Sequence, residues 1–139
     1  MAALTQHNPH CLGCGADNAS SIGFELVEVG PGRLRATVAF THFHEGAQGR
    51  VHGGAVATAL DEALGQLAQL ECVGGCATGE LTVRYHRETA SGAAYEVESR
   101  LDRREGRKLF MTGELRRGDV VLASANATMF AARAEGPEG

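Results

Sequence analysis

Tryptophan is absent from this chain, and aromatic residues make up only 5% of its 139 positions. Alanine, valine and leucine must therefore fill the core, and the stacking platforms that read nucleic-acid bases are missing. Acidic and basic residues are interspersed at a formal net charge of −4, so no basic stripe exists to track a phosphate backbone. No stretch approaches the ~18 consecutive apolar residues of a membrane span. Met1 to Pro9 has neither a basic region nor an apolar signal core, which predicts a cytoplasmic protein with no nucleic-acid or membrane partner. Internal repeats and low-complexity linkers are lacking too. The length fits one domain with a real core, and the composition (43% hydrophobic, 22% charged) is that of an ordinary globular protein.

Four cysteines are present: Cys11, Cys14, Cys72 and Cys76. A reducing cytosol argues against disulfides. Two separated pairs permit a four-thiolate zinc site, but the second pair is loosely spaced and straddles a helix end and a strand start. Small, half-buried thiols are the favoured reading. His42, His44 and His52 invite a metal hypothesis as well, yet no carboxylate or cysteine pattern completes a set, and His42 and His44 read as solvated loop residues. No metal ligands are assigned.

Taken in order, residues 1–20 form an irregular lead-in, 21–132 the domain, and 133–139 a disordered tail. Phe24 to Val29 has strand composition, Gly30-Pro31-Gly32 turns, and Leu34, Ala36, Val38 and Phe40 alternate with polar or small residues, so the pair reads as a hairpin. Thr41 to Gly49 is a polar, mobile loop. A helix is predicted from about His52 to Leu70, ended by Val73-Gly74-Gly75. Four strands follow, through Leu81–His86, Ala94–Leu101, Lys108–Arg116 and Val120–Ala131. Strand pair, long helix and four strands describe an α+β domain. Its antiparallel sheet must curve around the helix, because the helix is apolar on most sides.

That helix carries the chemistry. Val56, Leu60, Leu64 and Leu67 recur at helical steps, and Ala55, Ala59 and Ala63 widen the apolar face. Asp61 interrupts it among the small residues Ala57, Gly65 and Ala68. A carboxylate there either meets water or has been placed for a purpose, since an unpaired buried charge costs several kcal/mol. Glu62 points about 100° away and reads as solvent-facing or ion-paired. Gly53 and Gly54 leave the first helical N–H groups uncovered at the positive end of the dipole, an oxyanion-binding end beside the His52 imidazole.

His52-Gly53-Gly54, six residues, then Asp61 resembles the signature of hotdog-fold acyl-CoA thioesterases of the phenylacetate-pathway and THEM-like branch. Gly49, three residues before His52, and the lead-in Cys11-Leu12-Gly13-Cys14-Gly15-Ala16-Asp17-Asn18 extend the likeness, which covers roughly Cys11 to Ala131. The resemblance implies a curved sheet wrapped around one long helix. It implies hydrolysis of an acyl-CoA thioester to free acid and CoA, with Asp61 attacking the thioester or activating water. Gly53 would donate its N–H to the oxyanion. His52 would orient the loop or touch the thioester, and Thr78 would position the nucleophile or water. Six residues before His52, where relatives often carry Asn or Gln, this chain has Gly46, so either Glu45 or Gln48 substitutes by reaching from the loop or the acid/base arrangement differs. Gly54, Arg84 and His86, and more weakly Arg87, Arg103, Arg104 and Arg107, are candidates for binding substrate.

Gly53 and Asp61 are eight residues apart, about 12 Å along one helix. They cannot both touch one carbonyl group within a subunit. The resemblance implies a homodimer, or a homotetramer built as a dimer of dimers, whose site takes Gly53 from one chain and Asp61 from the other. No cofactor is expected beyond the coenzyme A of the substrate. An enoyl-thioester hydratase would need an Asp and His about five residues apart at the helix entrance, which this chain lacks. A non-catalytic acyl-CoA-binding regulator would have no use for Asp61.

Overall fold

Alternating apolar residues become the inner face of one six-stranded sheet. The computed structural model describes residues 8–72 and 74–133. The loose first residues, Val73 of the expected helix terminator, and the tail from 134 onward lie outside the described residues. β1 (Glu25–Gly30) and β2 (Arg33–Phe40) form the expected hairpin, with Gly32 supplying the positive φ of its turn. α1 (Gly53–Glu71) follows, then β3 (Cys76–Tyr85), β4 (Ala93–Glu105), β5 (Lys108–Arg117) and β6 (Val120–Ala131). The strand order is β1-β2-β4-β5-β6-β3, every neighbouring pair antiparallel. The chain thus leaves β2, runs through α1, and returns as the opposite edge strand, β3.

α1 packs into the concave face of this sheet. Ala59, Leu60, Ala63, Leu64 and Leu67 are completely buried, against Val38 of β2, Val97 of β4, Leu109 and Leu115 of β5, and Met129 of β6. Each such leucine stabilises the fold by about 1.5–3 kcal/mol through burial. Alanines on the helix let it approach closely, and Ser99 satisfies its buried hydroxyl by donating to the Ala63 carbonyl at 2.8 Å. The helix stops at Cys72, which is already extended, before Gly74 and Gly75 turn the chain with positive φ. Arg104 reaches across to cap it, donating to the Glu71 carbonyl at 2.9 Å.

The third strand begins five residues earlier than the alternation predicted. The cause is a bulge: Thr78 pairs with Met129 and Glu80 with Thr128, leaving Gly79 as the extra residue. Strict alternation would send Thr78 outward with Glu80, Thr82 and Arg84. The extra residue returns it to the helix side. Only glycine fits, because a Cβ at residue 79 would lie 2.0 Å from the Phe130 ring. Gly79→Ala should therefore cost about 1–3 kcal/mol of stability, the usual range for overpacking. Chemical denaturation would read this, and an unchanged midpoint would show that the ring moves aside freely.

Two loop expectations need correction. His44 is buried rather than solvated: its Nδ1 accepts from the Thr41 N–H at 2.9 Å, so Nε2 carries the proton and donates to the Ser20 carbonyl at 2.8 Å. His42 is exposed, as expected, and lies against Phe43. The Thr41–Gly49 loop is also tied to the helix entrance, with His52 N–H donating to the His44 carbonyl and Gly46 N–H to that of Arg50. The lead-in folds back as a string of turns, with Ile22 and Phe24 N–H groups bonded to the Leu12 and Gly13 carbonyls.

Candidate active site

The entrance of α1 has a defined donor pattern. His52 is the N-cap, and its Nδ1 accepts from the Gly54 N–H at 2.8 Å, which places the ring proton on Nε2. Gly54, a predicted substrate contact, therefore has its donor already engaged. The Gly53 N–H has no acceptor among the described residues. On its other side, the Gly53 carbonyl accepts from the Tyr85 hydroxyl at 2.7 Å. An exposed N–H is thus held at the positive helix end between a cap and a strand side chain. It opens onto a cleft of about 370 Å³ that includes Val51, Val56, Tyr85 and His86. A second cleft of about 370 Å³ flanks the cap, with Phe43, Glu45, His52 and Thr58 in its wall.

Two turns along, Asp61 is half-buried beside the edge strand. Thr78 donates to its Oδ1 at 2.8 Å, the contact that the Gly79 bulge makes possible. The Asp61 charge also reaches Cys76, whose thiol is pushed up mainly by burial, with Cys72 and Asp61 adding to the shift. Cys72 is pushed up by burial too, with Arg104 opposing. Both are protonated thiols at neutral pH, the inert kind. Thr78→Val keeps shape and removes the donor. A hydrogen bond to a charged group contributes about 1.5–3 kcal/mol, so kcat on a thioester substrate should fall at least ~10-fold with the fold unchanged by circular dichroism; an unchanged kcat would make Thr78 a bystander.

The remaining candidates divide. Glu45 lines the His52 cleft and accepts from the Ser91 hydroxyl. Gln48 is exposed and is not part of that cleft. A side chain at 46 would meet the His52 ring, with Cβ only 3.3 Å from Cδ2. His86 borders the Gly53 cleft and pairs with Ser124 at 2.8 Å. Arg84 projects from the opposite face to Tyr85 and is not brought to the cleft. Arg104 and Arg107 are occupied by main-chain carbonyls, Glu71 and Ala131, and Arg103 by Glu105 and the Phe110 ring. A larger cavity, about 510 Å³, lies elsewhere, against β1, β2, β4 and β5, among ion-paired residues such as Glu28 and Arg35. It holds none of the candidate groups.

The profile of the thioesterase superfamily matches residues 48–124, which run from the loop before the helix entrance into β6. The chain belongs to that superfamily. Curated relatives are the acyl-coenzyme A thioesterases THEM4 of Xenopus laevis, 36% identical over 84 residues, and of Bos taurus, 33% identical over 111 residues. These alignments cover 60% and 77% of this chain but only 37% and 45% of the relatives, so the chain spans less than half of their length. Among solved structures, the thioesterase superfamily protein RHA08564 is 31% identical with a TM-score of 0.77, covering 88% of this chain and 63% of that one. The PaaI protein of the Escherichia coli phenylacetic acid degradation operon shares the hotdog fold at 13% identity and a TM-score of 0.76, over 85% of this chain and 88% of its own.

Within this superfamily member, two side chains escaped the sequence reading. Tyr85 was taken only as part of an apolar alternation; it is 54% exposed, so nothing local signalled that its hydroxyl would reach the Gly53 carbonyl. Glu62 is not solvent-facing. Its Oε1 lies 3.5 Å from the Cys11 sulfur, and its Oε2 accepts from the Gln66 amide at 2.7 Å.

Proposed function

We propose that this chain hydrolyses an acyl-CoA thioester to the free carboxylic acid and CoA. The observation that carries the reading is the paired arrangement on α1: a free Gly53 N–H at the helix start, and Asp61 held by Thr78 two turns on. Membership of the superfamily and the names of the THEM4 relatives support the same chemistry. The Gly53 N–H polarises the thioester carbonyl and stabilises the oxyanion as it forms. Asp61 attacks the carbonyl carbon or takes a proton from the attacking water. If Asp61 attacks, the C–S bond breaks to leave an acyl–Asp61 anhydride, which water then hydrolyses to the free acid and Asp61. If water attacks, the C–S bond breaks to give the free acid directly. On either route the CoA sulfur leaves with a proton that comes from water. His52 holds the donor loop, and Thr78 fixes the carboxylate rotamer. Glu45 and His86 meet the substrate at the two clefts. Side chains, backbone and water suffice for this chemistry.

The site is completed by a second copy. About 12 Å of helix separates Gly53 from Asp61, so each carbonyl meets Gly53 of one protomer and Asp61 of its partner. Two features support that pairing. β3 is a ten-residue edge strand, and edges of that length call for a partner. Beside it, Ala57, Asp61 and Gly65 present a low, half-exposed surface onto which another helix can pack closely. The assembly is a homodimer or a dimer of dimers, working in the cytoplasm.

Release of free thiol from a panel of short, medium, long and aryl acyl-CoAs tests the reaction. Turnover of one class identifies the acyl group accepted. No turnover on any of them, with acyl-CoA still bound, would replace the hydrolase by a binding protein.

A further inference from the structure

The lead-in carries a second constellation, which the thioester chemistry leaves unused. The sulfur atoms of Cys11 and Cys14 and a carboxylate oxygen of Glu62 all lie within 4.8 Å of one another. Cys14 is buried, and Cys11 and Glu62 are half-buried. We propose that these three side chains form a zinc site that ties the lead-in to α1, next to Asp61.

Four observations converge on it. Cys-x-x-Cys is the ligand spacing of structural zinc sites, because a short loop can turn both sulfurs toward one point. The Cys11 sulfur stands 3.5 Å from Glu62 Oε1, and tetrahedral zinc with ordinary Zn–S and Zn–O lengths sets such atoms about 3.5 Å apart. The loop is built to this carboxylate: a Cβ on Gly13, between the two cysteines, would fall 2.3 Å from Glu62 Oε1. The second carboxylate oxygen is held by the Gln66 amide at 2.7 Å, and Gln66 is itself buried. A one-oxygen ligand with its other oxygen anchored is the arrangement that outer hydrogen bonds impose on metal-bound carboxylates.

The donor set selects the metal. Two thiolates exclude calcium and magnesium, which take oxygen, while a carboxylate with two sulfurs suits zinc. Three protein ligands leave the fourth tetrahedral position to water. Cys72 and Cys76 are no part of the site: Cys72 follows the last turn of α1, and the Cys76 thiol donates instead to the Gly65 carbonyl at 3.8 Å. The four-cysteine zinc site weighed from the sequence is therefore replaced by two cysteines and a glutamate from the helix.

The test is independent of hydrolysis. Protein purified without chelator should hold about one zinc per chain by elemental analysis. Stripping it should lower the melting temperature and expose two additional reactive thiols. Cobalt(II) added to the stripped protein should give tetrahedral visible bands and a thiolate charge-transfer band. Cys11→Ser and Glu62→Gln should abolish stoichiometric metal, while Cys72→Ser with Cys76→Ser keeps it. Gln66→Leu should weaken affinity about 10–100-fold without removing a ligand. Because the wild-type cobalt spectrum decides by itself, a variant that fails to fold does not blur the outcome. Metal-free wild-type protein that shows no cobalt–thiolate band overturns the proposal, whether Cys11 and Cys14 are then found as free thiols or as a disulfide.

Discussion

Asp61→Asn should lower kcat on the preferred acyl-CoA at least ~10²-fold, the scale of losing a key catalytic group, with acyl-CoA binding nearly unchanged. The substitution is close to isosteric and keeps an oxygen for the Thr78 hydroxyl, which now donates to Oδ1 at 2.8 Å. What it removes is the negative charge that attacks or accepts a proton. Asp61→Ala should lose as much or more, because it also strands the Thr78 hydroxyl. Neither change should unfold the chain, since Asp61 is half-exposed and the core of α1 is carried by Leu60, Leu64 and Leu67. Steady-state thiol release alongside thermal melting separates the two effects. A variant that turns over within a few-fold of wild type would remove Asp61 from the chemistry.

Two crippled chains should rescue one another. Gly53→Pro deletes the proposed oxyanion donor at the first helical position, where proline is well tolerated. Its expected cost is about 10²–10³ in kcat, typical of losing such a donor. A Cβ at this position would meet the Tyr85 side chain in ordinary contact, 3.4 Å from its hydroxyl oxygen. In a mixed dimer of Gly53→Pro and Asp61→Ala chains, one composite site carries both defects and the other carries neither. Coexpression should therefore restore roughly a quarter of wild-type turnover if pairing is random. Each variant alone stays inactive. A site confined to one subunit would show no rescue at all, so the measurement decides the architecture as well as the two residues.

The helix was legible because burial imposes a period. Val56, Leu60, Leu64 and Leu67 recur at three- and four-residue steps, and α1 starts and ends within a residue of its expected limits. β2 and β5 were legible for the same reason, since each alternates cleanly against a covered inner face. β3 was not, over its first half. Cys76 to Glu80 has no alternation because a bulge breaks it, and the one local sign of that bulge is the interior glycine, Gly79. Glu62 was misread for a related reason: helical geometry gave its direction correctly, but not that the lead-in would return to cover it.

By itself, then, the sequence determined the elements, the apolar faces, and the placing of a glycine pair and one carboxylate on a single helix. These follow from chain-local periods and from the steric freedom of glycine. Tertiary structure alone decided which groups meet. Pairing of β3 with β6 forces the Gly79 bulge and turns Thr78 onto Asp61. The crossing of β3 to the sheet edge brings the Tyr85 hydroxyl to the Gly53 carbonyl. The folded-back lead-in sets Cys11 and Cys14 against Glu62. Each of these contacts joins residues 17 to 51 positions apart, and such distances are closed only by packing that the whole chain shares.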